Sequence, residues 1–134
     1  MQVDAGSEVP PLVVDSVDAE KMKTVAALLQ DSNPIHFDAD VVRALGLGDR
    51  VVNQGPSNLG YIVTMLARWA GDPGRVRRLR VRFLGNVFAG ERVVARGTVT
   101  DVREKDGVRL ADLDVWLERD DERVLDGSAT VVLD

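Results

Sequence analysis

Gly55-Pro56-Ser57-Asn58-Leu59-Gly60-Tyr61-Ile62-Val63-Thr64-Met65-Leu66-Ala67-Arg68-Trp69-Ala70 is the stretch that decides the fold. Proline stands at a helix start, where its missing N–H is of no consequence, and apolar residues fall on almost every side of the wheel, which predicts a buried helix. After the turn Gly71-Asp72-Pro73-Gly74 the period changes to two, with Leu79, Val81 and Phe83 facing one way and Arg78, Arg80 and Arg82 the other. Three further strands, over 93–102, 108–117 and 123–133, are divided by the turn signals Lys105-Asp106-Gly107 and Arg119-Asp120-Asp121-Glu122. They read as an antiparallel meander. A buried helix followed by long antiparallel strands is an α+β plan: one long curved sheet wrapped around a central helix.

Upstream, Met22, Val25, Ala26, Leu28 and Leu29 recur at helical spacing, with Lys21 and Lys23 on other faces. Ser16 or Asp18 can cap this helix, which should run to about Gln30. Pro34 disfavours helical geometry at Asn33, so residues 31–37 should form an irregular turn that displays its side chains. A short helix is expected next, from Asp38 as cap through Val41, Val42 and Leu45 to the stop at Gly46. The opening residues, with Gly6, Pro10 and Pro11, read as an arm over 1–11 or a short edge strand.

The length of 134 residues, 45% of them apolar, suits one domain with one core. A net charge of −5 speaks against a nucleic-acid partner, because phosphate affinity rests on a basic surface. The chain has no cysteine, which removes disulfides and thiolate chemistry and fits a reducing compartment. Its single histidine makes a histidine-built metal site a poor expectation, and no metal is expected. The N-terminus lacks a basic region followed by an apolar core, and the apolar stretch 59–67 is too short to span a bilayer and is closed by Arg68. No membrane partner is expected, and a cytoplasmic location is.

Chemistry concentrates in Gln30-Asp31-Ser32-Asn33-Pro34-Ile35-His36. Asn33 bonds locally to backbone and Pro34 locks its own φ, so the turn can hold Asp31 and His36 toward one pocket. A carboxylate and an imidazole converging on one water suit proton abstraction and return without a covalent intermediate. Standing alone, such a pair would read as a helix cap and a satisfied surface histidine.

The run Asp31-Ser32-Asn33-Pro34-Ile35-His36-Phe37-Asp38 closely resembles the signature of the MaoC-like, or (R)-specific enoyl-CoA hydratase, family, whose fold is the single hotdog. The order of elements from about Asp18 to the C-terminus resembles it too. The resemblance implies that Asp31 and His36 activate a water that adds to a trans-2-enoyl thioester, giving an (R)-3-hydroxyacyl thioester. It also implies a glycine amide at the start of the central helix as carbonyl donor, here Gly55 preceded by Gln54. Such an amide is a sound donor because the helix dipole and an unsatisfied N–H both favour developing negative charge. Pro56 has no N–H, so a second backbone donor would be Ser57 or a later residue. Asn33, Gln54 and Ser57 are therefore counted with Gly55 as oxyanion or substrate contacts.

Three residues depart from the family pattern: Gln54 replaces its histidine, Gln30 a small residue before the aspartate, and Gly60 a serine. Arg78, Arg80 and Arg82 read as a solvated strand face or as contacts to coenzyme A phosphates. Trp69, Trp116 and Tyr61 are expected in the core or an interface. The expected partner is an acyl-CoA substrate, with coenzyme A part of that substrate and no separate cofactor. The acyl group could be a fatty chain or a steroid side chain. An uncovered sheet edge predicts a homodimer or pairing with a second hotdog chain. Two alternatives are a thioesterase on the same fold and a non-autonomous subunit of a heteromeric hydratase.

Overall fold

A computed structural model describes residues 2–134. In chain order it contains β1 (Glu8–Val14), α1 (Ala19–Leu29), α2 (Ala39–Ala44), α3 (Gly55–Ala70), β2 (Val76–Phe83), β3 (Val93–Lys105), β4 (Val108–Arg119) and β5 (Glu122–Val132). Single 3-10 turns occupy Pro34–His36 and Pro73–Arg75.

Local chemistry accounts for the ends of these elements. Asp18 caps α1 by accepting the Glu20 N–H at 2.8 Å, and Asp38 caps α2 by accepting from Asp40 and Val41. Asp106 and Gly107 take positive φ of 54° and 78°, and Asp120 and Asp121 take 49° and 64°. Two successive residues with positive φ make the tight turn whose twist matches that of the strands it joins, so β3, β4 and β5 form the expected meander. Asp120, Asp121 and Glu122 lie at a hairpin tip, as the acidic run suggested.

All five strands form one antiparallel sheet in the order β1-β3-β4-β5-β2. Pro10 and Pro11 lie in edge strand β1, where its register against β3 shifts between Val9 and Leu12. A proline lacks a ladder donor and is tolerated at such an edge bulge. On β4, Ala111, Leu113, Val115 and Leu117 are buried, while Asp112, Asp114, Trp116 and Glu118 alternate onto the outer face. Trp116 thus lies partly exposed outside the core; its ring supports the Arg123 guanidinium at 4.1 Å. Trp69 is partly buried and packs against the core.

α3 lies across the inner face and buries Asn58, Ile62, Met65, Leu66 and Ala70. Its expected burial on every side is corrected by the structure. Thr64 and Arg68 are exposed, and Gly60, Tyr61 and Val63 are only partly buried, because the sheet covers one side of the helix. Leu66 is fully enclosed (0% exposed), so Leu66→Ala should leave a cavity. The expected loss is about 2–5 kcal/mol, read as a melting temperature lower by roughly 10 °C or more in a thermal scan.

Candidate active site

α1 ends on Gln30, which adopts the left-handed conformation (φ 53°, ψ 39°) and donates its N–H to Ala26 and Ala27. The next N–H, of Asp31, also returns to the Ala26 carbonyl at 2.9 Å. This closure reverses the chain and carries Asp31 out of the helix. Asp31 Oδ1 accepts the Asn33 N–H at 3.0 Å, and Asn33 Oδ1 accepts the Ile35 N–H at 3.3 Å. Asn33 is therefore exposed but spent on the turn: its side chain caps the 3-10 segment that ends on His36.

His36 is buried, and its Nδ1 lies 2.7 Å from the Val52 carbonyl oxygen. A carbonyl can only accept, so Nδ1 carries the ring hydrogen and the neutral ring presents the Nε2 lone pair. Nε2 faces Asp31 Oδ2 at 3.4 Å. Two acceptors pointing at one place suit a water that donates to both. Asp31 also borders an open cavity of about 470 Å³, together with Lys23, Ala26, Ala27, Ser32 and Phe37.

Residues 52–54 hold the parts together. The Val52 N–H donates to the Ile35 carbonyl at 2.8 Å while its own carbonyl holds His36. Asn53 donates its backbone N–H to Val87 at 2.7 Å, and its side chain reaches Asn58 Oδ1 at 2.8 Å and the Tyr61 hydroxyl at 3.2 Å. Gln54 is 0% exposed and donates Nε2 to the Met22 carbonyl of α1 at 2.8 Å, leaving Oε1 buried without a partner. A buried acceptor left unpaired costs about 1–3 kcal/mol.

At the start of α3, the Ser57 and Asn58 N–H groups both donate to the Gln54 carbonyl, at 3.0 and 3.1 Å. Pro56 has no N–H, which leaves Gly55 as the one first-turn amide without a partner among the described residues. A Cβ added at Gly55 would lie 3.3 Å from the Phe83 ring, so the glycine keeps this approach narrow but open. The expectations for three neighbours change accordingly. Gln54 turns into the core, the Ser57 amide is occupied, and Asn33 serves its own turn. The Ser57 side chain instead borders a separate cavity of about 270 Å³ with Asn53, Gly60 and Tyr61.

Arg78, Arg80 and Arg82 line a larger, open concavity of about 810 Å³ on the outer sheet face. That face is turned away from α3, since alternate residues of a strand point to opposite sides. Arg82 is engaged by Asp126 at 3.2 Å, and Arg103 grips Asp112 with two bonds of 2.7 and 3.2 Å. With the Thr130 hydroxyl, Arg103 holds the Asp112 carboxyl below the usual carboxylate range. A depressed folded-state value stabilises the fold above the unfolded value and loses that contribution as pH falls through the folded one. Asp112→Asn should therefore lower the urea midpoint at pH 7, and its deficit relative to wild type should narrow below about pH 4.

Sequence reasoning did not anticipate the Val52 carbonyl, because any residue type offers one, or the Phe83 ring over Gly55. The Asn53–Asn58–Tyr61 set had one available signal, two asparagines five positions apart flanking a helix start.

The family described as MaoC like domain matches residues 6–117. The (R)-hydratase from A. caviae involved in PHA biosynthesis is similar in structure, with a TM-score of 0.86, 23% identity and 98% of each chain covered. The ChsH1-ChsH2 complex from Mycobacterium tuberculosis gives 0.82 at 19% identity, covering 100% of both chains. The truncated HadBC (3R-hydroxyacyl-ACP dehydratase) complex from the same organism gives 0.72 at 21% identity, covering 98% of each. At these identities the likeness establishes the hotdog fold. A comparison with curated protein sequences finds no match. Among the described residues, no helix is long and apolar enough to cross a membrane.

Proposed function

Since the chain belongs to the MaoC-like dehydratase family, with residues 6–117 matched, we propose that it hydrates trans-2-enoyl-CoA to (R)-3-hydroxyacyl-CoA and catalyses the reverse dehydration. The observation that carries this reading is the His36 ring, held by Val52 with its lone pair toward the Asp31 carboxylate at 3.4 Å.

The water donates one hydrogen to Nε2 and the other to Asp31. Its oxygen bonds to C3 of the enoyl group as a proton passes to the pair. The C2–C3 π electrons move toward the thioester carbonyl, where the Gly55 N–H and the dipole of α3 stabilise the enolate oxygen. Return of that proton to C2 completes the addition of one water. No covalent enzyme intermediate is needed.

The proposed partner surface is the free edge of β2, which ends on Phe83 (55% exposed), whose ring faces Gly55, and is followed by Leu84 (51% exposed). Pairing there with a second copy would extend the sheet and cover Phe83; a different hotdog chain would do the same. The names of two similar structures describe complexes of two chains, which supports keeping the heteromeric form as the second reading.

Purified protein of measured oligomeric state, mixed with short, long and steroidal enoyl-CoA esters, is expected to remove the conjugated enoyl absorbance without releasing thiol. Thiol release with the absorbance intact would replace this reading with thioesterase chemistry. Turnover that appears only on co-expression with a second hotdog chain would select the heteromer.

A further inference from the structure

The buried amide of Gln54 has no access to solvent, and its side chain turns inward to α1. A methionine of similar size would fill the same volume without an unpaired oxygen. Packing therefore does not explain the amide; its single bond, from Nε2 to the Met22 carbonyl, is what it adds.

That bond joins two bodies that carry different parts of the site. Met22 lies within α1, whose far end closes on Ala26 and delivers Asp31. Gln54 directly precedes the Gly55 amide and lies two residues from the carbonyl that holds His36. Backbone bonds place His36 and Gly55 relative to each other through residues 52–54. Asp31 joins that frame through the Asn33 turn on one side and hangs from the end of α1 on the other.

We propose that Gln54 is a positioning residue: by tying α1 to the start of α3 it sets the Asp31 carboxylate against His36 Nε2 and the Gly55 amide. The inference rests on the hydratase reading for its catalytic consequence, but the placement itself can be read without turnover. His36 is the only histidine in the chain, so its ring nitrogens give a single set of NMR signals that report the Asp31 contact directly.

The test uses the full chain with Gln54→Met, which keeps bulk and removes the bond, and Gln54→His, which restores a ring N–H donor without an amide oxygen. Asp31→Asn supplies the reference for loss of the carboxylate. Gln54→Met is expected to lower kcat roughly 10- to 100-fold with KM little changed, the size of effect a small misplacement causes. Its His36 ring signals should shift toward those of Asp31→Asn, and Gln54→His should recover kcat and show one ring set at the wild-type positions beside the set of the added imidazole. Unchanged kcat and His36 signals in Gln54→Met, with only the melting temperature lowered, would overturn the proposal and leave a structural tie. Should Gln54→Met not fold, Gln54→His decides alone: one ring set at the wild-type positions beside that of the added imidazole supports the proposal, and its replacement by a set at the Asp31→Asn positions overturns it. If the wild-type protein hydrates no enoyl-CoA, the functional reading fails, while the His36 signals still decide the placement.

Discussion

Asp31→Asn is expected to lower the hydration rate by about 10²- to 10⁴-fold, the range attributable to a positioned acid-base group. The replacement is isosteric, and its side-chain oxygen can still accept the Asn33 N–H that shapes the turn. Only the charge facing His36 is removed, so thermal stability should hold within about 0.5 kcal/mol, as for other changes away from the core. His36→Ala should abolish turnover to a similar degree but with a lower melting temperature, because the Val52 carbonyl loses its partner in a buried place. Stopped-flow loss of enoyl absorbance, run beside a thermal scan of each variant, checks both statements. An active, stable Asp31→Asn protein would remove the carboxylate from the mechanism.

Gly127→Ala should be the most disruptive single methyl in the sheet. Gly127 pairs with Val81 on one side and Val115 on the other. An added Cβ would overlap the Arg80 carbonyl and come within 2.8 Å of the Val81 Cα. Both obstacles are backbone, so no side-chain rotation relieves them, and β2 must part from β5. The expected cost is about 3 kcal/mol, the upper end of overpacking effects. Hydrogen exchange should rise at Leu79 to Arg82 before β3 or β4, and activity should fall with it, since β2 carries the Phe83 ring against Gly55. An unchanged denaturation midpoint would show that the two strands can separate without loss.

Much of the architecture was legible because its causes are local. The Asp18 and Asp38 caps, the Asp106-Gly107 turn and the alternation along β4 each depend on residues a few positions apart. The Asp31-to-His36 segment was legible for the same reason: Asn33 and Pro34 shape a turn with their own atoms. The limits are equally physical. Apolar residues around α3 could not say which of them the sheet would cover, and Gln54 beside Gly55 looked like a substrate contact until its side chain turned toward α1.

By itself, the sequence determined the helix boundaries, the meander of β3 to β5, and the proximity of a carboxylate to the only imidazole, since short-range sterics and hydrogen bonds decide all of these. The tertiary structure alone decided that β2 pairs with β5, that the Val52 carbonyl selects the His36 tautomer, and that, among the described residues, Gly55 keeps the one free amide of its helical turn. Those outcomes depend on groups brought together from distant parts of the chain, or on which donors the packed fold has already engaged, and neither is written in the spacing of residues.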